Sequence, residues 1–230
     1  MSGRFRYLVR ALGLVVASGS LEGSAQYRVG IGAMALSNQL EGRAKQEVGY
    51  ASLTSTMPAF GLACHYAVVA GKRFNWHLSG SYVQRSFDGS WGSSGRGGSN
   101  RTGAHVDLDL LYIGLSPEVE LDQRGRFSLR MGMSLGFKVG GRMTGERYSW
   151  SVSSGSQNQL FTGAPVTDLK GDLRLVFAAG LKFPLAERSG LFVEPVWSLQ
   201  VSSLTKVGRT KGYDLGAMIG WYFRSIRGQG

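Results

Sequence analysis

Residues 213–223 read YDLGAMIGWYF. Apolar side chains stand at every second position, Tyr213, Leu215, Ala217, Ile219, Trp221 and Phe223, with Asp214, Gly216, Met218, Gly220 and Tyr222 between them. Successive side chains of a strand point to opposite faces, so this segment has one greasy face and one small or polar face. Strands of this kind, closed on themselves, pair every backbone polar group internally and can cross a bilayer.

The same period predicts seven further strands. They fall at about 27–37, 58–69, 73–85, 104–119, 125–139, 170–184 and 190–203, with the last at 210–223. The cleanest is 125–139, where Phe127, Leu129, Met131, Met133, Leu135, Phe137 and Val139 share a face. In 104–119 we expect Val106, Leu108, Leu110 and Tyr112 to face outward until Pro117 disturbs the pattern. Links alternate in length. Residues 70–72, 120–124 and 185–189 are tight, 38–57, 86–103 and 140–169 are long, and only 204–209 departs from the trend. Short turns on one side and long loops on the other are the pattern of an outer-membrane barrel. The expected fold is an all-β, eight-stranded, antiparallel transmembrane up-and-down barrel in the bacterial outer membrane. A soluble sandwich or lipocalin-like barrel would turn its apolar face inward. The opposite face here carries Gly30, Gly32, Ser79, Ser81, Gly132, Ser134 and Gly136, which suit a narrow lumen better than a wet exterior.

The front of the chain reads as a secretory signal peptide over 1–25. Arg4, Arg6 and Arg10 precede the apolar stretch Ala11–Ala17, and Gly23-Ser24-Ala25 offers small residues before a cleavage point. The barrel then spans 26–224, with a short tail at 225–230. Formal charge is +11, and removing 1–25 takes away three Arg and one Glu to leave +9. The basic residues are scattered over strand ends and loops, with no stripe or recognition helix, so nucleic acid is not an expected partner. Outer-membrane lipid and the phosphates of lipopolysaccharide are. A single cysteine, Cys64, excludes an internal disulfide framework.

The polar face carries charges. The register places Asp107, Asp109, Arg130, Lys138, Asp172, Arg174, Lys182, Glu194 and Asp214 inward, with His65 and His77, and Arg28 near the short-turn mouth. Eight strands leave little room for a water column, and a lone buried charge is costly. Arg130 and Arg174 are therefore expected to pair with Asp107, Asp109, Glu194 and Asp214 as a structural plug. No ligand spacing demands a metal and no cofactor motif is present. A hydrolase would need His105 to meet a serine and a carboxylate at the outer rim; the expectation is a protein that is not an enzyme. In the long 140–169 link, Arg142, Arg147, Tyr148, Trp150 and Phe161 are candidates for a contact surface. The Gly/Ser-rich 86–103 stretch reads as a mobile loop.

Four stretches carry a family likeness: Val29-Gly-Ile-Gly-Ala33, Leu111-Tyr-Ile-Gly-Leu-Ser-Pro117, Arg130-Met-Gly-Met-Ser-Leu-Gly136 and the terminal 213–223 segment. Through them the chain resembles the small Bacteroidota outer-membrane barrels of the PorT-like, outer membrane protein beta-barrel domain group. The resemblance implies recognition of the terminal strand, with Phe223 near its end, by the barrel-assembly machinery. It implies no catalytic residues. Some members of that group serve secretion or gliding machinery. The functional expectation is a structural or surface-interaction barrel with external loops as the binding surface. A component of a secretion or envelope complex with a protein partner, or a narrow channel, are the alternatives.

Overall fold

The computed structural model describes residues 27–46, 49–55, 58–69, 73–122, 124–166, 171–202 and 209–224. The expected signal peptide and the 225–230 tail lie outside them. Ten strand segments are present: β1 (Tyr27–Gln46), β2 (Gly49–Ser55), β3 (Pro58–Val69), β4 (Phe74–Gly95), β5 (Gly98–Glu120), β6 (Phe127–Ser151), β7 (Gly155–Pro165), β8 (Leu173–Ala186), β9 (Ser189–Gln200) and β10 (Arg209–Arg224). They fill eight places in one wall. β2 and β3 both lie between β1 and β4, and β7 and β8 both pair with β6. The wall runs β1–β3–β4–β5–β6–β8–β9–β10 and closes by antiparallel pairing of β10 with β1, from Arg28↔Arg224 to Arg43↔Arg209. Closure leaves no sheet edge within the bilayer, where an unpaired backbone group would cost several kcal/mol, roughly.

Alternation sets the two faces of this wall. Ile31, Phe60, Leu62, Trp76, Ile113, Leu115, Leu129, Met131, Met133, Leu135, Leu215 and Ile219 project outward and are exposed. Tyr27, Phe74, Phe127, Phe183, Trp221 and Phe223 sit near the short-turn end, as expected of rings suited to the headgroup layer. Tyr27 stacks on Tyr66 at 5.8 Å, and Phe74 meets Trp76 edge-on at 5.5 Å.

Two expectations change. The expected long links 38–57, 86–103 and 140–169 are strand over most of their described residues, with β1 and β2 paired from Leu40↔Ser55 to Gln46↔Gly49. β4 and β5 stay paired to Gly95↔Gly98, and β6 and β7 stay paired to Ser151↔Gly155. The wall thus continues beyond the bilayer as tall hairpins. At the tip of the β6–β7 hairpin Gly155 takes φ 67°, which favours glycine.

The second change is in β5. Val106, Leu108, Leu110 and Tyr112 point inward and are buried, while Asp107 and Asp109 take the opposite parity, Asp107 half-exposed and Asp109 buried against Tyr82 OH. The strand keeps one alternation from Ala104 to Glu118. Its surroundings change instead. Ile113, Leu115 and Val119 face lipid, whereas the stretch around Asp107 stands where the outside is wet. There an apolar residue belongs inside and a carboxylate outside, the reverse of the membrane rule. A bulge in β6 opposite Asp109/Leu110 takes up one extra residue at this level, so that Arg142 faces outward opposite Asp107.

Met131 and Val152 test where lipid ends, since both are exposed, at 57% and 73%. Met131→Arg, in the outer wall, should cost about 2–4 kcal/mol in urea unfolding from lipid vesicles. Val152→Arg, at a hairpin tip, should stay within about 0.5 kcal/mol of the parent. Equal costs would contradict the boundary drawn here.

Candidate functional site in the lumen and on the hairpins

Inward charges gather in two decks separated by a cavity. The inner deck lies toward the short turns. Glu118 is central to it, accepting from Asn75 Nδ2 at 3.2 Å and Lys182 Nζ at 2.5 Å, with His77 Nε2 at 2.5 Å. Beside it Arg28 pairs with Glu120, and Asn75 Nδ2 also donates to Glu120 at 3.1 Å. Arg130 pairs with Glu194 and donates from Nη1 to His65 Nδ1 at 3.3 Å. A guanidinium only donates, so His65 Nδ1 accepts and Nε2 carries the proton that faces Met218 Sδ at 3.1 Å. Three cations, Arg28, Arg130 and Lys182, thus face three carboxylates, Glu118, Glu120 and Glu194.

The outer deck is built on Asp214. Arg85 forks onto it, Nη1 to Oδ1 at 2.6 Å and Nη2 to Oδ2 at 2.7 Å, and Arg174 Nη1 donates to Oδ2 at 2.5 Å. Ser198 Oγ donates to the same oxygen at 2.8 Å. Asp172 takes Arg174 Nε at 2.6 Å, and Asn38 accepts from Arg85 Nη1 at 2.9 Å. The Tyr112 ring lies between the two guanidiniums, 5.7 Å from Arg85 Cζ and 5.9 Å from Arg174 Cζ. Gly136 makes room for that ring, since a Cβ there would stand 2.5 Å from Tyr112 Cε1. Two cations again meet two carboxylates.

Between the decks lies a cavity of about 90 Å³ with a mixed wall, Met34, Leu36, Val83, Val176 and Val196 beside Ser79, Ser81, Ser116, Ser134, Arg130 and Arg174. Its volume and its hydroxyls suit a few waters. Toward the hairpins the lumen turns apolar. Phe87, Val106, Leu108, Leu110 and Val166 form a buried cluster, with Met143 and Phe161 against it. Lys138 Nζ donates to the Val166 carbonyl at 2.5 Å and ties the start of the β7–β8 link across this seal.

The expected network is thus placed in part. Arg130, Glu194, Asp172, Arg174 and Asp214 come together inside. Asp107 and Asp109 do not join them, because β5 turns its even positions inward. Asp107, half-exposed, accepts from Ser86 Oγ at 2.6 Å, and Asp109 accepts from Tyr82 OH at 2.7 Å. Arg85, Glu118, Glu120, Asn75 and Asn38 went unnoticed in the sequence. Arg85 stood at the expected end of its strand, and Glu118 lay beyond Pro117, which reads as a break. The signal available was the run Tyr112, Gly114, Ser116, Glu118 opposite Leu111, Ile113, Leu115 and Val119, which assigns the small and charged side inward.

The candidate contact residues divide between two faces of the β6–β7 hairpin. Arg142, Tyr148 and Trp150 share the outer face, with Tyr148 opposite Arg101 and Trp150 opposite Ser99. Arg147 and Phe161 belong to the other face, where Phe161 packs on the apolar seal. His105 has Asp88 Oδ1 at 3.0 Å from Nδ1 and Asp107 Oδ1 at 3.6 Å from Nε2. Both ring nitrogens therefore face carboxylates, and Ser86 Oγ is directed at Asp107 rather than at the imidazole.

No family model matches the sequence, and no curated relative does either. Among solved structures, the chain is similar to the outer membrane protein OprG from Pseudomonas aeruginosa. Identity is 12%, the TM-score is 0.50, and 87% of this chain and 96% of that one are covered. Neisserial surface protein A has 11% identity and a TM-score of 0.44 over 86% and 96% of the two chains. Ail, the attachment invasion locus protein of Yersinia pestis, has 12% and 0.43 over 85% and 98%. The fold is that of the bacterial outer-membrane β-barrels. The apolar outer wall gives the physical reason, since it suits lipid and no other solvent.

Asp214→Ala leaves buried Arg85 with no carboxylate among the described residues and Arg174 with Asp172 alone, and should destabilise the barrel by about 3–5 kcal/mol. Asp107→Ala, on the outer face, should change unfolding by no more than about 0.5 kcal/mol. Urea titrations in vesicles read both. A costly Asp107 substitution would return that carboxylate to the lumen network.

Proposed function

We propose that this chain is a non-conducting surface-interaction barrel, with a plugged lumen as scaffold and the long hairpins as working surface. The observation that carries the proposal is the seal. Two charge-balanced decks and an apolar cluster lie in series along the lumen. An ion following this path would have to break buried pairs and then cross an apolar constriction. The hairpins, by contrast, offer Tyr148, Trp150, Val152 and Leu160 to solvent, the last at 79% exposure. Among the described residues β7 pairs only with β6, so its other edge is unpaired. Amphipathic rings and an unpaired strand edge are features by which a surface recognises another chain.

The PorT-like likeness of the sequence belongs to this proposal, as does an envelope protein as partner. Lipopolysaccharide is the proposed lipid partner of the outer rim, with Arg101 and Arg142 exposed on the outer face above the apolar wall. Nothing in this reading asks the chain to catalyse a reaction.

Planar-bilayer conductance tests the scaffold half of the proposal. The parent should be silent, and Arg130→Ala with Arg174→Ala should open transient currents by removing one cation from each deck. A steady current through the parent would replace this reading with a narrow channel.

A further inference from the structure

The short-turn end of the barrel carries arginines that the lumen network does not use. Arg73, Arg124, Arg126, Arg188 and Arg224 are all exposed there. Asp122 and Glu187 are the nearby acids in the turns, and Asp122 Oδ1 is taken by the Phe127 N–H at 2.8 Å.

Two of these cations, Arg188 and Arg224, stand in a row with Arg28 of the inner deck. Arg28 on β1 is the register partner of Arg224 on β10, and the Arg224 N–H donates to the Arg188 carbonyl at the start of β9 at 2.8 Å. Adjacent strands lie about 4.8 Å apart. The backbone register thus sets three arginine positions side by side at one edge of the barrel mouth, Arg28 buried and Arg188 and Arg224 exposed. Like charges directly opposite one another across strands are destabilising. Arg28 has a carboxylate in Glu120, but that pair uses Nη2 alone. Arg28 is only 8% exposed, and its Nε and Nη1 have no hydrogen-bond partner. It lines a cavity at the mouth with Lys182, His77 and Tyr222, and the His77 Nδ1 there is unpartnered as well. The cavity's own acids are engaged, Glu118 by Lys182 and His77 and Glu194 by Arg130. Buried N–H groups need an acceptor, and Arg28 leaves two of them unmet in a cavity whose own lining carboxylates are all engaged; the exposed Glu187 stands outside that lining.

We propose that the Arg28–Arg224–Arg188 row is an oxyanion-binding site of the phosphate class at the short-turn mouth. A planar carboxylate satisfies one guanidinium fork. A phosphate carries enough oxygens and charge to be shared among three. Arg28 supplies two buried, pre-positioned donors, Nε and Nη1, and Arg188 and Arg224 close over the ligand from the rim. The phosphate is either a soluble one reaching the mouth from the aqueous side or the headgroup of a phospholipid in the adjoining leaflet. The site is independent of the hairpins, which lie at the other end of the barrel.

The test uses the refolded full-length chain with nitrogen-15 arginine, in dodecyl maltoside at low salt. Inorganic phosphate should shift the Arg28 Nε–H resonance saturably, and chloride at equal ionic strength should not. Arg188→Gln with Arg224→Gln, both at exposed positions that leave the Glu120 pair intact, should weaken binding by roughly tenfold or more. Arg28→Lys keeps the charge beside Glu120 and should also weaken it, because the fork is lost. If soluble phosphate is silent but phosphatidylglycerol in nanodiscs produces the shift, and the double variant abolishes it, the ligand is the lipid headgroup. Silence with both probes overturns the proposal. So does an equal response to chloride, or an unchanged response in the double variant.

Discussion

Closure of β10 on β1 is the constraint from which the other features follow. In hydrocarbon no water competes for backbone N–H and C=O groups, so a wall of strands is tolerable only when its first and last members pair. The sixteen register partners from Arg28↔Arg224 to Arg43↔Arg209 provide that pairing. Closing at eight strands also fixes a narrow bore. A bore of that width, lined by polar strand faces, cannot stay empty and cannot hold bulk water. Its charges must neutralise one another at short range. Glu118 with Lys182 and Asp214 with Arg85 and Arg174 are the result. The plug is thus a consequence of strand number as much as of the particular residues.

The same wall serves two solvents. Along β5, Ile113 and Leu115 meet lipid, and a few residues later Asp107 meets water. Strand alternation continues through the change, so the polarity of each face must invert. Inside, the charged decks give way to Phe87, Val106, Leu108 and Leu110. Above the bilayer the protein is an ordinary water-soluble sheet with an apolar interior. Within the bilayer it is the reverse. The seal sits where the two regimes meet, and it requires no special device beyond burial of apolar side chains away from external water.

This explains what could be read from the chain and what could not. The eight wall strands were legible because period-two patterning and alternating link lengths agree. Residues 127–137 and 213–223 show both faces cleanly. Strand 104–119 misled at its outer half. Its apolar even positions look lipid-facing under a single membrane rule, and only Ser116 and Glu118 further along show that the even side is the lumen. The Gly/Ser-rich 86–103 stretch looks like a loop by composition, yet its partner strand supplies the hydrogen bonds that composition cannot reveal. Pairing partners in the lumen were half legible. Period identifies which charges face inward on each strand. Which of them meet depends on strand stagger around the barrel, and that is a property of closure.

Stagger also separates the two kinds of arginine in this molecule. Arg85, Arg130 and Arg174 come level with carboxylates on other strands and are spent within the fold. Arg188 and Arg224 come level with Arg28 instead. Arg28 is used by the fold through Glu120, but Arg188 and Arg224 have no such partner among the described residues, and a change at either would relieve the repulsion without disturbing a wall hydrogen bond. The balance of charge inside the lumen and its imbalance at the mouth therefore have different origins. Neutrality follows from burial. The surplus at the rim has no structural use in the isolated chain, and it acquires one when an anion shares the mouth.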